Sequence, residues 1–244
     1  MITRLPVWIT RLVPFLYKNR ITRFVLKPVY HFMRDKAIAN RNKQFMKNGI
    51  RVLKEFDTIM LNNHIFYSVF AGTLLGAIRE KGLLKHDLDL DTVMFYDVNT
   101  PHVKQLLENN GFKLLHAYYI DDGKKGMEET YIKDDVCIDI FYVYKDEKYP
   151  TYLCDFYAVE GANSHEESMR KYGHVLARRL ELPISHDVVR IPFETIEVNA
   201  LSNATEWLSN RYGSDFMIPN PEYKDKKNNP NIYLWEEVKA IMIY

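Results

Sequence analysis

Four acidic residues carry the clearest chemical signal in this sequence. Asp87, Asp89 and Asp91 alternate with leucines in His-Asp-Leu-Asp-Leu-Asp, and Asp139 lies inside the apolar run Val-Cys-Ile-Asp-Ile-Phe. Side chains two residues apart on a strand share a face at about 6.6 Å spacing. The alternation therefore puts three carboxylates on one side and Leu88 and Leu90 on the core side. Three like charges in a row repel and ask for a cation. Carboxylate oxygens suit a hard ion, Mg²⁺ or Mn²⁺ in its place, and paired ions of this kind clamp the attacking and leaving oxygens of a phosphoryl displacement. A carboxylate within an apolar strand is anomalous unless partnered, which makes Asp139 the candidate to complete the set from a neighbouring strand. The competing reading is a solvated acidic face, with Asp139 paired to a Lys or Arg.

The residues just before the acids could hold an anion. Gly72 ends the β-rich run Ile65 to Phe70, and Thr73 is placed to cap a short helix with Leu74, Leu75 and Ile78 on one face and Gly82 as its stop. A helix N-terminus attracts phosphate oxygens, so Gly72 and Thr73 are candidate phosphate contacts. Arg79, about two turns further on, either reaches phosphate or pairs with Asp87 or Glu80. His86 either binds substrate or serves as a charge partner of the acids. The eight histidines show no metal-ligand spacing, and Cys137 reads as a small core residue.

The elements that must position these residues follow from periodicity. Phe45, Ile50, Val52, Leu53, Phe56, Ile59 and Met60 recur at helical spacing, which predicts a helix over 37–63 packed on the core. The segment 85–96 reads as a strand. A helix is expected from Pro101 to Gly111, and one or two antiparallel strands around Lys133 to Asp135. Residues 145–185 are less legible, with a helix expected near His165 to Leu180. Short strands interrupted by Pro192 follow, then a helix capped by Asn203 with Glu206 three residues on and ending at Gly213. The last stretch, 223–244, reads as a polar linker and a C-terminal helix.

The 244 residues are 47% apolar and 14% aromatic, which excludes a disordered chain, and two cysteines exclude a disulfide scaffold and favour a reducing cytoplasm. The formal charge of +1 hides a split. Residues 1–54 hold 13 basic residues against Asp35 alone, so +12 stands against −11 on the rest. Residues 1–36 form a basic arm in which Trp8, Phe15, Leu16, Phe24, Val25 and Leu26 are interspersed with Arg and Lys and broken by Pro6, Pro14 and Pro28. Such an arm suits an anionic membrane interface; docking on the acidic body and nucleic-acid binding are the alternatives, the last disfavoured. No uncharged span long enough to cross a membrane and no secretion signal is found. The expected place is the cytoplasm, peripheral on the inner face of the membrane where the arm binds lipid.

The stretch Gly-Thr-Leu-Leu-Gly-Ala-Ile-Arg-Glu-Lys-Gly-Leu-Leu-Lys-His-Asp-Leu-Asp-Leu-Asp, residues 72–91, resembles the signature of the LicD family, phosphocholine-transferase-like proteins related to fukutin and fukutin-related protein. Ile-Asp-Ile-Phe-Tyr-Val, 138–143, resembles its second acidic strand, and 191–221 its C-terminal part. The resemblance spans about residues 45 to 220, within a domain of 37–222. It implies an α/β (α+β) fold, a nucleotidyltransferase-like mixed β-sheet flanked by helices. It further implies divalent-metal transfer of a phospho-substituent from a nucleotide-activated donor, such as a CDP-alcohol, to a surface glycan or lipid-linked precursor in polysaccharide or lipopolysaccharide biosynthesis. Carried over, it places Asp89, Asp91 and Asp139 at the metal, Asp87 as an accessory acid, and Gly72 and Thr73 at the donor phosphate. Leu88 stands where the family pattern has a further acid, and Lys85-His86 where it has Pro-Trp. Two other functions fit the same residues: a nucleotidyltransferase adding a nucleoside monophosphate to a small acceptor, and a non-catalytic scaffold of a glycan-assembly complex.

Overall fold

The computed structural model describes residues 20–96, 100–145, 151–220 and 232–244. The arm residues 1–19, the side chains of Phe24, Val25 and Leu26 and the expected linker, 223–231, lie outside the described residues.

A mixed sheet of ten strands organises the described residues, with helices packed against it, as the α+β expectation requires. The strands are β1 (Ser68–Val69), β2 (Asp89–Phe95), β3 (Lys113–Ile120), β4 (Gly126–Lys133), β5 (Val136–Val143), β6 (Leu153–Tyr157), β7 (Val175–Leu180), β8 (Val188–Phe193), β9 (Ile196–Leu201) and β10 (Ile232–Ile243). Their order is β6-β7-β10-β3-β4-β5-β2-β1-β9-β8. Parallel pairing joins β2 to β5 and β1 to β9; the other neighbours are antiparallel. The helices are α1 (Arg20–Asn62), α2 (Ala71–Leu75, continued by a π-helical turn Gly76–Glu80), α3 (Thr100–Asn109), α4 (His165–Tyr172) and α5 (Ala204–Tyr212).

The core forms where the 3.6-residue pattern of α1 meets the sheet. Phe45, Val52, Leu53, Phe56 and Met60 are fully or almost fully buried, and α1 packs on β2, β5 and β9. Phe56 meets Tyr67 and Phe112 edge-on, at 5.3 and 6.4 Å between ring centroids. On the other side Phe70 contacts Trp207 of α5 and Phe141 of β5.

Several expectations are corrected. The C-terminal segment is strand β10, inserted between β7 and β3, with no helix. Its Glu-Glu-Val-Lys centre imitates a helix, yet its end alternates with period two: Ala240 and Met242 are buried, Ile241 and Ile243 exposed. The helix expected to Leu180 ends at Tyr172, where Gly173 takes the left-handed conformation that terminates it, and β7 follows. α1 begins well before residue 37 and runs through Pro28, so it crosses the expected boundary at 36/37 without a break. The strand expected over 65–70 is reduced to two residues. Pro192 lies within β8, on an edge of the sheet, where a missing N–H costs no ladder bond. Asn203 occupies the cap position of α5, but no helix N–H donates to its side chain, which accepts from the Ser185 N–H and donates to the Pro183 carbonyl and the Glu206 carboxylate.

Candidate active site

Register brings the acids together. β2 and β5 pair in parallel with Asp91 directly opposite Asp139 and Asp89 opposite Cys137. Paired residues share a face, so Asp89, Asp91 and Asp139 project from one side, while Leu90, Ile138 and Ile140, all fully buried, project from the other. Asp87 precedes β2, in a turn closed by its N–H to the Leu84 carbonyl at 3.1 Å. Its carboxylate still joins the group: a Cβ built on Gly72 would lie 2.9 Å from Asp87 Oδ2 and 3.2 Å from Asp91 Oδ2. Glycine at 72 is therefore what lets two carboxylates approach the backbone.

Gly72 and Thr73 meet the acids differently from expectation. Thr73 does not cap α2; its hydroxyl accepts the Asp91 N–H at 2.8 Å, tying α2 to β2. Gly72 lies in the first turn of α2, and its N–H donates to Asp91 Oδ2 at 3.0 Å. Leu88, expected in the core, is half-exposed, because the strand starts only at Asp89 and the Leu88 carbonyl accepts from Arg41. Arg79 is nearly buried, donating to Glu80 and to the Phe216 carbonyl at 2.8 and 3.1 Å. His86 is largely exposed, with Nε2 3.7 Å from Asp87 Oδ1.

Charge accumulates in this corner. Burial, then the neighbouring Asp89 charge, pushes the Asp87 carboxyl up to about 7 against the pull of Arg79. Burial, then the charges of Asp89, Asp139 and Asp87, holds Asp91 well above the carboxylate range, with the Gly72 N–H pulling the other way. Burial also raises Asp89, despite Arg41. Asp139 accepts a hydrogen bond from the Thr130 hydroxyl at 2.6 Å.

Three contributors escaped the sequence reading. Glu128 of β4 lies on the same face as Thr130 and Asp139, since Thr130 pairs with Asp139 and Glu128 is two residues away. It is buried, and after burial itself the charges of Asp139, Asp155 and Asp91 hold its carboxyl well above the usual range. Arg41 donates Nε to the Leu88 carbonyl at 3.2 Å and Nη2 to Asp89 Oδ2 at 3.3 Å. Asn42 donates to the Lys85 and Asp87 carbonyls at 2.9 and 2.8 Å. Arg41 and Asn42 are more than forty residues from the acids in sequence, so periodicity could give no sign of the contact.

The donor set is all hard oxygen, on two hydrogen-bonded strands, and suits Mg²⁺ or Mn²⁺ better than a softer ion. Among the described residues no three His, Cys, Asp or Glu side chains already enclose an ion position. The acids thus line one face of the sheet without enclosing an ion position.

Comparison with known proteins agrees with this geometry. A family model described as "LicD/FKTN/FKRP, nucleotidyltransferase domain" matches residues 64–203, more than half of the chain and all four acids. An uncharacterized protein of Rickettsia prowazekii (strain Madrid E) is 29% identical over 100 residues, covering 40% of this chain and 34% of that protein. One of Rickettsia typhi (strain ATCC VR-144 / Wilmington) is 29% identical over 112 residues, 44% of this chain and 32% of its own length. An uncharacterized protein of Caenorhabditis elegans is 31% identical over 106 residues, 41% of this chain and 27% of its own. The chain matches about a third of the length of these curated relatives. With the signature stretch, the paired acidic strands and the match over 64–203, this chain belongs to the LicD/FKTN/FKRP family.

Proposed function

We propose that the chain is a metal-dependent transferase that moves a phospho-substituent, phosphocholine-like, from a nucleotide-activated donor such as a CDP-alcohol to a glycan or lipid-linked acceptor. Family membership itself suggests the coarser statement, a phosphotransferase-type enzyme of glycan modification. The observation that carries the finer one is the register pair Asp91–Asp139, two carboxylates side by side on parallel strands, with a Gly72 N–H aimed at the first.

Asp89, Asp91 and Asp139 would hold Mg²⁺ or Mn²⁺, and Asp87 would assist. The ion, when bound, neutralises phosphate charge and orients the phosphoryl oxygens. The residues do the rest. Gly72 and Thr73 hold the turn beside the donor phosphate, and Arg79 sends positive charge toward Asp87 from below. An acceptor hydroxyl oxygen forms the new bond to phosphorus as the bond to the leaving nucleoside monophosphate breaks. The hydroxyl proton passes to a carboxylate of this acidic face.

Incubation with CDP-choline and other CDP-alcohols plus a glycan acceptor, read by mass shift and by CMP release, tests the reading. Release of CMP that stops in excess EDTA supports it. Pyrophosphate release from CTP, without transfer from a CDP-alcohol, would replace it by nucleotidyl transfer.

The basic arm fits an anionic membrane surface. α1 carries Lys27, Arg34 and Lys36 beside exposed Val29 and Phe32, the latter 68% exposed, and no helix of the described residues is long and apolar enough to cross a membrane. Flotation with anionic vesicles, lost on deleting residues 1–36 or in high salt, checks a peripheral inner-face location.

A further inference from the structure

The face that bears the acids continues past them. In β4, Thr130 stands opposite Asp139 and Glu128 lies one step along the same face. In β3, His116 stands opposite Thr130 and Tyr118 opposite Glu128. These side chains are linked. Thr130 gives its one hydroxyl proton to Asp139 Oδ1 at 2.6 Å, so His116 Nε2, 3.2 Å from the Thr130 oxygen, must be the donor in that second bond. Tyr118 in turn bonds His165 Nδ1 of α4 at 2.6 Å.

Glu128 is the exception. It is 8% exposed, and none of the hydrogen bonds that link the strip ends on it. A buried carboxylate is costly, and by register this one stands on the face of the polar strip and not on that of the apolar core.

The sheet order says which side of the reaction this strip serves. Donor turn, acids and strip follow one another as β1–α2, β2–β5, then β4–β3. An in-line displacement needs the attacking oxygen opposite the leaving group. With the donor phosphate on the Gly72 side of Asp91, the attacker arrives over β4. We infer that the strip formed by Glu128, Thr130, His116, Tyr118 and His165 is the subsite for a neutral, polyhydroxylated acceptor, and that Glu128 receives the hydrogen bonds of its sugar hydroxyls. The inference rests on the transferase reading above and narrows it. The chemistry selects the ligand: a carboxylate only accepts hydrogen bonds, and Glu128 with Asp155 nearby disfavours an anion at this end while suiting vicinal hydroxyls.

Saturation-transfer NMR on the full chain with Mg²⁺ tests this. The probes are methyl hexosides and methyl N-acetylhexosaminides, with CDP-choline binding followed in the same samples. Wild type is expected to bind at least one glycoside. Glu128→Ala, which removes a buried charge and leaves the strand pairing untouched, should weaken that binding at least about tenfold while CDP-choline still binds. Tyr118→Phe keeps the buried ring and should weaken it by a smaller factor, which guards against a misfolded first variant. The inference is overturned if wild type binds none of the glycosides, if both variants bind them as wild type does, or if Glu128→Ala loses CDP-choline and keeps the sugar. Sugar binding that depends on Glu128, in a protein that turns over no nucleotide-activated donor, would sink the transferase reading and leave the subsite standing.

Discussion

Glu128 and Glu129 are neighbours on β4 and face opposite sides of one sheet, and their surroundings could hardly differ more. Glu129 collects the hydroxyls of Tyr131, Tyr142 and Tyr119 at 3.1, 2.9 and 3.5 Å. Burial raises its carboxyl, while those hydroxyls and Lys104 pull it back. A second buried acid, Asp57 of α1, is met by the Tyr67 hydroxyl and by both terminal nitrogens of Arg190, which bonds Asn199 as well. On Glu128's face, burial and neighbouring acids hold up Asp87, Asp91 and Glu128, against Arg79 at Asp87 and the Gly72 N–H at Asp91, while Arg41 bonds Asp89 and the Thr130 hydroxyl bonds Asp139. Glu129 and Asp57 each collect several donors, whereas Asp87, Asp91 and Glu128 are each held up by neighbouring acids as well as by burial. That contrast makes the two faces separable by experiment.

The largest effect is expected on the repelling face and in activity alone. Asp139→Asn and Asp91→Asn should cut transfer on the order of 10³-fold, since several kcal/mol of charge stabilisation at about 1.4 kcal/mol per decade is at stake. Their melting temperatures should hold or rise, because one repulsion is removed and the Asn oxygen can still accept from Thr130 or Gly72. Initial rates with a CDP-alcohol and thermal melts of the same samples decide. Near-normal rates, or a melt lowered by many degrees, would put these acids with the structural set.

The opposite pattern is expected of Asp57→Ala. It strands Arg190 beside Tyr67 and should cost about 2–3 kcal/mol, below the range for a fully buried pair because the Arg190 side chain is 34% exposed. Urea unfolding measures it. Glu129→Gln, which keeps an acceptor oxygen but loses the charge on the tyrosine hydroxyls, should cost about 1 kcal/mol. Either variant losing activity without losing stability would erase the distinction between the faces.

How much of this was legible beforehand divides along the same physical line. Local pattern showed the acids, because alternation in one strand is a property of seven consecutive residues. It also showed strand structure around Lys133 to Asp135, as one or two antiparallel strands, and the pair β4–β5 stands there. It could not show which of two adjacent glutamates faces the chemistry, since only the register of β4 against β5 decides that. Nor could it show Arg41 on Asp89, a contact made by a helix folding back across 48 positions. The end of the chain was misread for a related reason: Glu-Glu-Val-Lys has helical propensity, and the vacancy between β7 and β3 that makes it a strand is created by distant segments. Propensity yields to tertiary pairing there.

The smallest effect concerns pH, and it too distinguishes the faces. Asp87 titrates near 3.9 in an unfolded chain and at about 7 in the fold. Between those values the folded state binds more protons than the unfolded one, so stability falls as pH rises through that window. Asp89, Asp91 and Glu128 are displaced in the same direction. Glu167 is displaced oppositely, down to about 2 by Lys171 and the Asn163 N–H, but its contribution is lost only as pH falls below about 4.5, outside the interval from pH 5 to pH 8. Without divalent ions the melting temperature should therefore drop by a few degrees between pH 5 and pH 8. Saturating Mg²⁺ should flatten or invert that slope, because a cation favours ionised carboxylates. Asp87→Asn should flatten it without metal, whereas Glu129→Gln should lower the whole curve and leave most of the slope in place. A slope indifferent to both Mg²⁺ and Asp87→Asn would mean that the repulsion on the acidic face does not govern the protein's stability.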